Sequence, residues 1–170
     1  MAKVKEYELP GVKVYELNKL PDERGFFMEA LREDWSDLLE GDEIAQANIS
    51  YSYPGIIRGW HRHVRGQVDY FLVLQGAMKI CAYDDREDSP TKGKIIEIMA
   101  SAEKPQLVRI PGFYWHGTCT VSSEPSLTVY FATRLYDYTS PDEGRRPWDD
   151  PTIVDPKTGN PFDWNKSSNK

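Results

Sequence analysis

Tyr70-Phe71-Leu72-Val73-Leu74 is a short unbroken apolar run, and Gln75-Gly76-Ala77 follows it as a tight turn. A run this short without polar alternation suits a strand buried on both faces, and such a strand needs a cover on each side. With the strand after the turn it is expected to form the centre of the fold. The rest of the chain is punctuated in the same way, with stretches of Val, Ile, Tyr and Phe between clusters of Gly, Pro, Asp and Ser. The pattern predicts strands over residues 11–16, 44–51, 69–74, 78–83, 93–99, 106–110, 117–121 and 126–133. Helix is scarce. Residues 33–40 are the best candidate, with Trp35, Leu38 and Leu39 on one face and Gly41 as the stop.

Many short strands in 170 residues fit an all-β, double-sheet jelly roll with a short helix, whose open mouth is a natural ligand cavity. One domain spanning 1–170 is expected at this length. Its core covers about 11–140. Residues 141–170 are too rich in Pro, Asp and Gly for a core and are expected to wrap over the barrel as an irregular tail, pinned by Trp148, Phe162 and Trp164.

Charge narrows the partners. With 21 Lys+Arg against 27 Asp+Glu, the net charge of −6 has the wrong sign for a nucleic-acid scaffold. No run approaches the roughly 20 apolar residues of a membrane span, and the start, MAKVKEYELP, lacks the apolar segment of a signal peptide. A cytoplasmic location is expected. Cys81 and Cys119 have no metal-type spacing and read as small buried hydrophobes.

All three histidines fall in two short stretches, RGWHRH (His61, His63) and IPGFYWHG (His116). Both read as Gly-bearing turns beside strands, where a barrel displays functional side chains at its mouth. Imidazole titrates near neutrality and ligates metals, so this grouping weighs toward function over packing. Two chemistries compete. In the first, His61, His63, Asp69 and His116 hold iron, manganese or nickel. That pattern is close to the ligand set of metal cupins, but positions 64–68 offer only the oxygen of Gln67 where those proteins carry a glutamate. The second is acid/base work on a carbonyl compound, with His61 removing a proton next to a ketone, Arg58 holding the enolate and Tyr130 returning a proton.

Seven segments carry a further likeness: DERGFFME (22–29), QANIS (46–50), GIIRGWH (55–61), YDDREDSPTKG (83–93), QLVRIPGFYWHG (106–117), TVYFATRLY (128–136) and SPDEG…WDDP (140–151). In that order they resemble the motifs of the dTDP-4-dehydrorhamnose 3,5-epimerase family, of the cupin superfamily. The resemblance implies a homodimeric jelly roll that needs no cofactor and no metal. It also implies epimerisation of a dTDP-linked 4-keto-6-deoxy sugar at C3 and/or C5. His61 matches the family's base and Tyr130 the proton donor on the opposite face, while His116 matches a second active-site histidine. Arg24, Phe27 and Glu29 match contacts to the nucleotide end, often across the dimer interface. Gln46, Asn48 and Arg58 match diphosphate and sugar contacts, and Tyr136 matches a further site position. In an acidic protein, Arg24 and Arg58 would concentrate the positive charge that a diphosphate needs.

Three departures accompany the likeness. Where the family has a Lys that stabilises the enolate, this chain has Val68-Asp69-Tyr70. The anion would repel a developing enolate unless it pairs with His61 or His63, which would raise the imidazole pKa. The C-terminal FDWNKSSNK has no match to the family's Asp that orients the base. Asp69 is the expected substitute, with Asp155 and Asp163 as alternatives. Finally, His63 makes the loop RG-x-H-x-H, similar to that of sugar-nucleotide 3,4-ketoisomerases, which are shorter and lack DERGFFME. A 3,4-ketoisomerase and a metal-dependent cupin using His61, His63 and His116 are the alternative activities.

Overall fold

A computed structural model describes residues 4–165. The described chain forms β1 (Val4–Glu6), β2 (Lys13–Glu16), β3 (Leu20–Asp22), β4 (Gly25–Phe27), α1 (Ser36–Leu39), β5 (Gln46–Ser52) and β6 (Ile57–Arg62). It continues through β7 (Val68–Gln75), β8 (Ala77–Tyr83), β9 (Ile95–Ser101), β10 (Gln106–Pro111), β11 (Trp115–Thr120), β12 (Ser126–Ala132) and β13 (Gly144–Arg145). One sheet runs β1-β2-β10-β7-β12-β5, the other runs β13-β6-β11-β8-β9, and β3-β4 stand apart as a hairpin. This is the expected all-β double-sheet jelly roll.

The apolar run is continuous because β7 is covered twice. Phe71 and Val73 face the interior between the sheets, where they meet Met78, Ile80 and Ala82 of β8 and Val108 and Ile110 of β10. Tyr70 and Leu72 face outward into a second cluster that Leu38 and Leu39 of α1 cover. Leu74, at the end of the run, is 45% exposed. The helix is shorter than expected. Glu40 takes the left-handed conformation (φ 53°) and ends it one residue before the expected Gly41.

Of RGWHRH, expected as a turn, Arg58 to Arg62 lie on β6 and His63 follows its end, while His116 lies on β11. Gly59 and the arginines hide the strand pattern. The strand is held by its neighbours β11 and β13 and by Trp60, which is buried on the outer face of the sheet.

That outer face is covered by the tail. Ile153, Phe162 and Trp164 pack on Trp60, Cys81, Trp115 and Cys119, and the Trp60 and Trp164 rings lie 4.5 Å apart. Both cysteines are buried, as expected. Trp148 is not a pin. It is 50% exposed, and it contributes its backbone carbonyl, which accepts from Trp164 Nε1 at 2.9 Å. Trp164→Ala should therefore cost about 3–5 kcal/mol of stability, as for other buried tryptophans. Trp148→Ala should cost less than about 0.5 kcal/mol. Chemical denaturation of the two variants measures both. The expected tail beyond residue 165 lies outside the described residues. Among those described, no helix is long and apolar enough to cross a membrane.

Candidate active site

A cavity of about 1040 Å³ lies between the two sheets. On β5, β7 and β12 the two-residue period of strands decides which side chains enter it. On β5, Gln46, Asn48 and Ser50 line the cavity, while Ile49 and Tyr51 point away and are exposed. On β12, Thr128, Tyr130 and Ala132 do the same, and β7 adds Asp69 and Phe71. The facing wall is β6 and β11, which supply Arg58, His61, His116 and Thr118.

His61 and His116 stand opposite each other in register, with ring centroids 5.1 Å apart and planes at 87°. Gly117 permits that approach. A Cβ there would meet the Arg58 carbonyl at 2.7 Å and Gly59 Cα at 2.8 Å, so a side chain would force the strands apart. Burial, followed by the neighbouring His116 and His63, pushes the His61 pKa down to about 3. The ring is neutral and its lone pair is available.

On the other wall, the Tyr130 ring stacks on Phe71 at 5.8 Å, and Phe71 lies 6.2 Å from His116. A row of rings thus runs from one sheet to the other across the cavity. Burial first, and then the carboxylates of Asp69 and Glu143, raise the Tyr130 pKa. The phenol keeps its proton at neutral pH.

The expectation that Asp69 orients His61 is corrected. Asp69 Oδ2 lies 3.3 Å from His63 Nε2 and 3.2 Å from His116 Nε2, and no carboxylate of the described residues lies at ion-pair distance from His61. Burial opposes the Asp69 charge, but the two imidazoles outweigh it and hold the carboxyl well below the usual range. Gln67 Nε2 donates to Asp69 Oδ1 at 2.9 Å. Asp155 and Asp163, the alternative orienters, do not line the cavity. Their carboxylates accept from the backbone N–H groups of Lys157 and Asn165 in the tail.

His63 is fixed from two directions. Its Nδ1–H donates to the Asp142 carbonyl at 2.5 Å, and the Asp142 carboxylate accepts from the N–H groups of Val64 and Arg65. Burial lowers its pKa, but Asp69 and Asp142 outweigh burial and the net shift is upward. Gly112 packs beneath, where a Cβ would lie 2.4 Å from the Gln67 carbonyl and 2.9 Å from His63 Cβ. His63, Asp69 and His116 form a group whose donor atoms all lie within 4.8 Å of one another. His61, expected as a fourth ligand, is outside it.

The remaining expected residues divide. Arg58 lines the cavity, held by Nε to Ser52 Oγ at 2.8 Å and by a second nitrogen to the Tyr51 carbonyl at 3.0 Å. Gln46 Nε2 donates to Asn48 Oδ1 at 2.8 Å, and its Oε1 accepts from the Tyr136 N–H at 2.9 Å. Tyr136 also lines the cavity. Arg24, Phe27 and Glu29 do not. Arg24 pairs with Asp22 on the exposed β3-β4 hairpin, Phe27 is 63% exposed, and Glu29 pairs with Arg32. The positive charge of the cavity comes instead from Arg58 together with Arg65, Arg134, Arg145 and Arg146. Composition and spacing mark neither these further arginines nor Glu143, although Glu143 and Arg145 belong to the SPDEGRR stretch that includes one of the family-like segments.

The family model for dTDP-4-dehydrorhamnose 3,5-epimerase matches residues 6–157. The chain is 42% identical to the probable low-salt glycan biosynthesis epimerase Agl13 of Haloferax volcanii, covering 81% of this chain and 87% of that protein. It is 40% identical to the spore coat polysaccharide biosynthesis protein SpsL of Bacillus subtilis, covering 92% and 97%. Among solved structures, the fold is similar to RmlC of Legionella pneumophila, a dTDP-6-deoxy-D-glucose-3,5-epimerase in complex with dTDP-4-keto-L-rhamnose. The TM-score is 0.83 at 27% identity, covering 99% of this chain and 86% of that one.

Proposed function

We propose, from the premise that this chain belongs to the dTDP-4-dehydrorhamnose 3,5-epimerase family, that it epimerises a dTDP-linked 4-keto-6-deoxy sugar at carbons next to the ketone, with His61 as base. The observation that carries the assignment of roles is the placement of a neutral imidazole and a protonated phenol on opposite walls of one cavity. Inversion needs that arrangement. His61 takes the proton from carbon on one face of the sugar, the electron pair moves into the ketone as an enolate, and the Tyr130 O–H gives a proton to the other face. The arginines of the cavity supply positive charge for the diphosphate and the enolate. Gln46, Asn48 and Tyr136, tied together by hydrogen bonds, present a fixed polar surface to the sugar.

Arg24, Phe27 and Glu29 stand outside their own cavity, and in this reading they serve the nucleotide end of a partner's site in a homodimer. The enzyme works in the cytoplasm, where nucleotide sugars are made.

The test is incubation with dTDP-4-keto-6-deoxyglucose in D₂O followed by NMR. Deuterium at C3 and C5 with inversion is expected for a double epimerase, and at C3 alone for a mono-epimerase. A 3-keto product identifies a ketoisomerase instead. A sugar that binds and takes up no deuterium overturns the enzymatic reading.

A further inference from the structure

Three electron-pair donors face one another on the cavity wall. The Nδ1 atoms of His63 and His116 point at the carbonyls of Asp142 and Tyr114, at 2.5 and 2.9 Å. A carbonyl only accepts, so each Nδ1 carries the hydrogen, and a ring in its neutral form presents a bare Nε2. Both Nε2 atoms turn toward Asp69 Oδ2, at 3.3 and 3.2 Å, and Oδ1 of the same carboxylate is already held by Gln67. His116 Nε2 is buried and has no hydrogen-bond partner of acceptable geometry among the described residues, in a residue 1% exposed. An uncompensated group of this kind is costly. A proton between one imidazole and Asp69 would answer one contact and leave the other nitrogen unpaired.

We propose that His63 Nε2, His116 Nε2 and the Asp69 carboxylate form a binding site for one divalent transition-metal ion. A cation among the three donors answers all of them at once. Ligands on bonds of about 2.0–2.2 Å, at tetrahedral to octahedral angles, stand about 3.0–3.5 Å apart, which spans the two measured separations. Two imidazoles and one carboxylate suit manganese, iron, cobalt, nickel or zinc. The outer contacts are those a metal site uses: each ligating ring donates its other N–H to a carbonyl, and the carboxylate is itself hydrogen-bonded. All three residues line the open cavity, which gives the ion an entry path and leaves its remaining positions to water or ligand. Bound there, the ion would neutralise Asp69 and give this wall the positive sign that a developing enolate needs. The site stands on its own side chains and does not depend on His61 being the base.

Chelator-treated protein titrated with Co²⁺ tests it, read by visible absorption and elemental analysis. One cobalt per chain with imidazole-type absorption is expected. Asp69→Asn and His63→Gln should each weaken binding by about 100-fold or more, with metal-free thermal unfolding near that of wild type. If Asp69→Asn does not fold, His63→Gln carries the test. His61→Asn should bind cobalt as wild type does while losing deuterium exchange, so the failure of one reading is told from the failure of the other. Electron paramagnetic resonance of the Cu²⁺ adduct should show coupling to two nitrogens. No cobalt absorption in wild type, wild-type affinity in both ligand variants, or coupling to a third nitrogen overturns the proposal.

Discussion

His61→Asn is expected to slow deuterium uptake by the 4-keto sugar by about 10²–10⁴-fold, the contribution of a positioned general base. Asparagine fills much of the same space and keeps a polar end, but its amide cannot take a proton from carbon. The fold should tolerate the change, because the His61 ring makes no ion pair among the described residues and its strand is held by backbone pairing to β11 and β13. Affinity for dTDP should change little. The charge expected to hold a diphosphate belongs to Arg58 and the other arginines of the cavity, and none of these depends on the imidazole. Exchange followed by NMR, with dTDP binding measured by calorimetry on the same preparation, separates the two effects. Wild-type exchange in the variant would remove His61 from the base role, and an equal loss of binding and turnover would make it a binding residue.

What the sequence disclosed follows from which interactions are local. The central strand was legible because burial on both faces writes itself into successive apolar residues, Tyr70 to Val73, with Leu74 extending the run past the covered part. Gln46, Asn48 and Tyr130 were legible because motif and strand period agree on the face they share. β6 was not. Its place depends on Gly59 and Gly117 letting two strands approach and on β11 and β13, whose residues lie far along the chain. The partner of Asp69 was equally hidden, since a sequence shows a carboxylate near a histidine pair but not which ring it meets. In the fold it meets His63 and His116 and leaves His61 alone. Asp142 belongs to the SPDEG motif, but its service to His63 was hidden, because it acts there through a backbone carbonyl, and every residue has one.

Tyr130→Phe is expected to separate two events that wild-type enzyme couples. The substitution removes one oxygen and keeps the ring that stacks on Phe71, so the wall of the cavity should survive. His61 can still draw the proton from carbon, exchange it with D₂O through the open mouth and return deuterium to the face it came from. Without a donor on the other face, inversion should fall by about 10²-fold or more, while exchange into recovered, uninverted sugar falls far less. The ratio of exchange to inversion, read from one NMR time course, is the measurement. A purely structural role for Tyr130 would lower both together and leave the ratio at its wild-type value, and that result would remove the phenol from the mechanism. The rise in its pKa caused by burial and by the carboxylates of Asp69 and Glu143 sets the sense of the effect. A phenol that resists ionisation holds its proton at neutral pH until a stronger base, the enolate carbon, is presented to it.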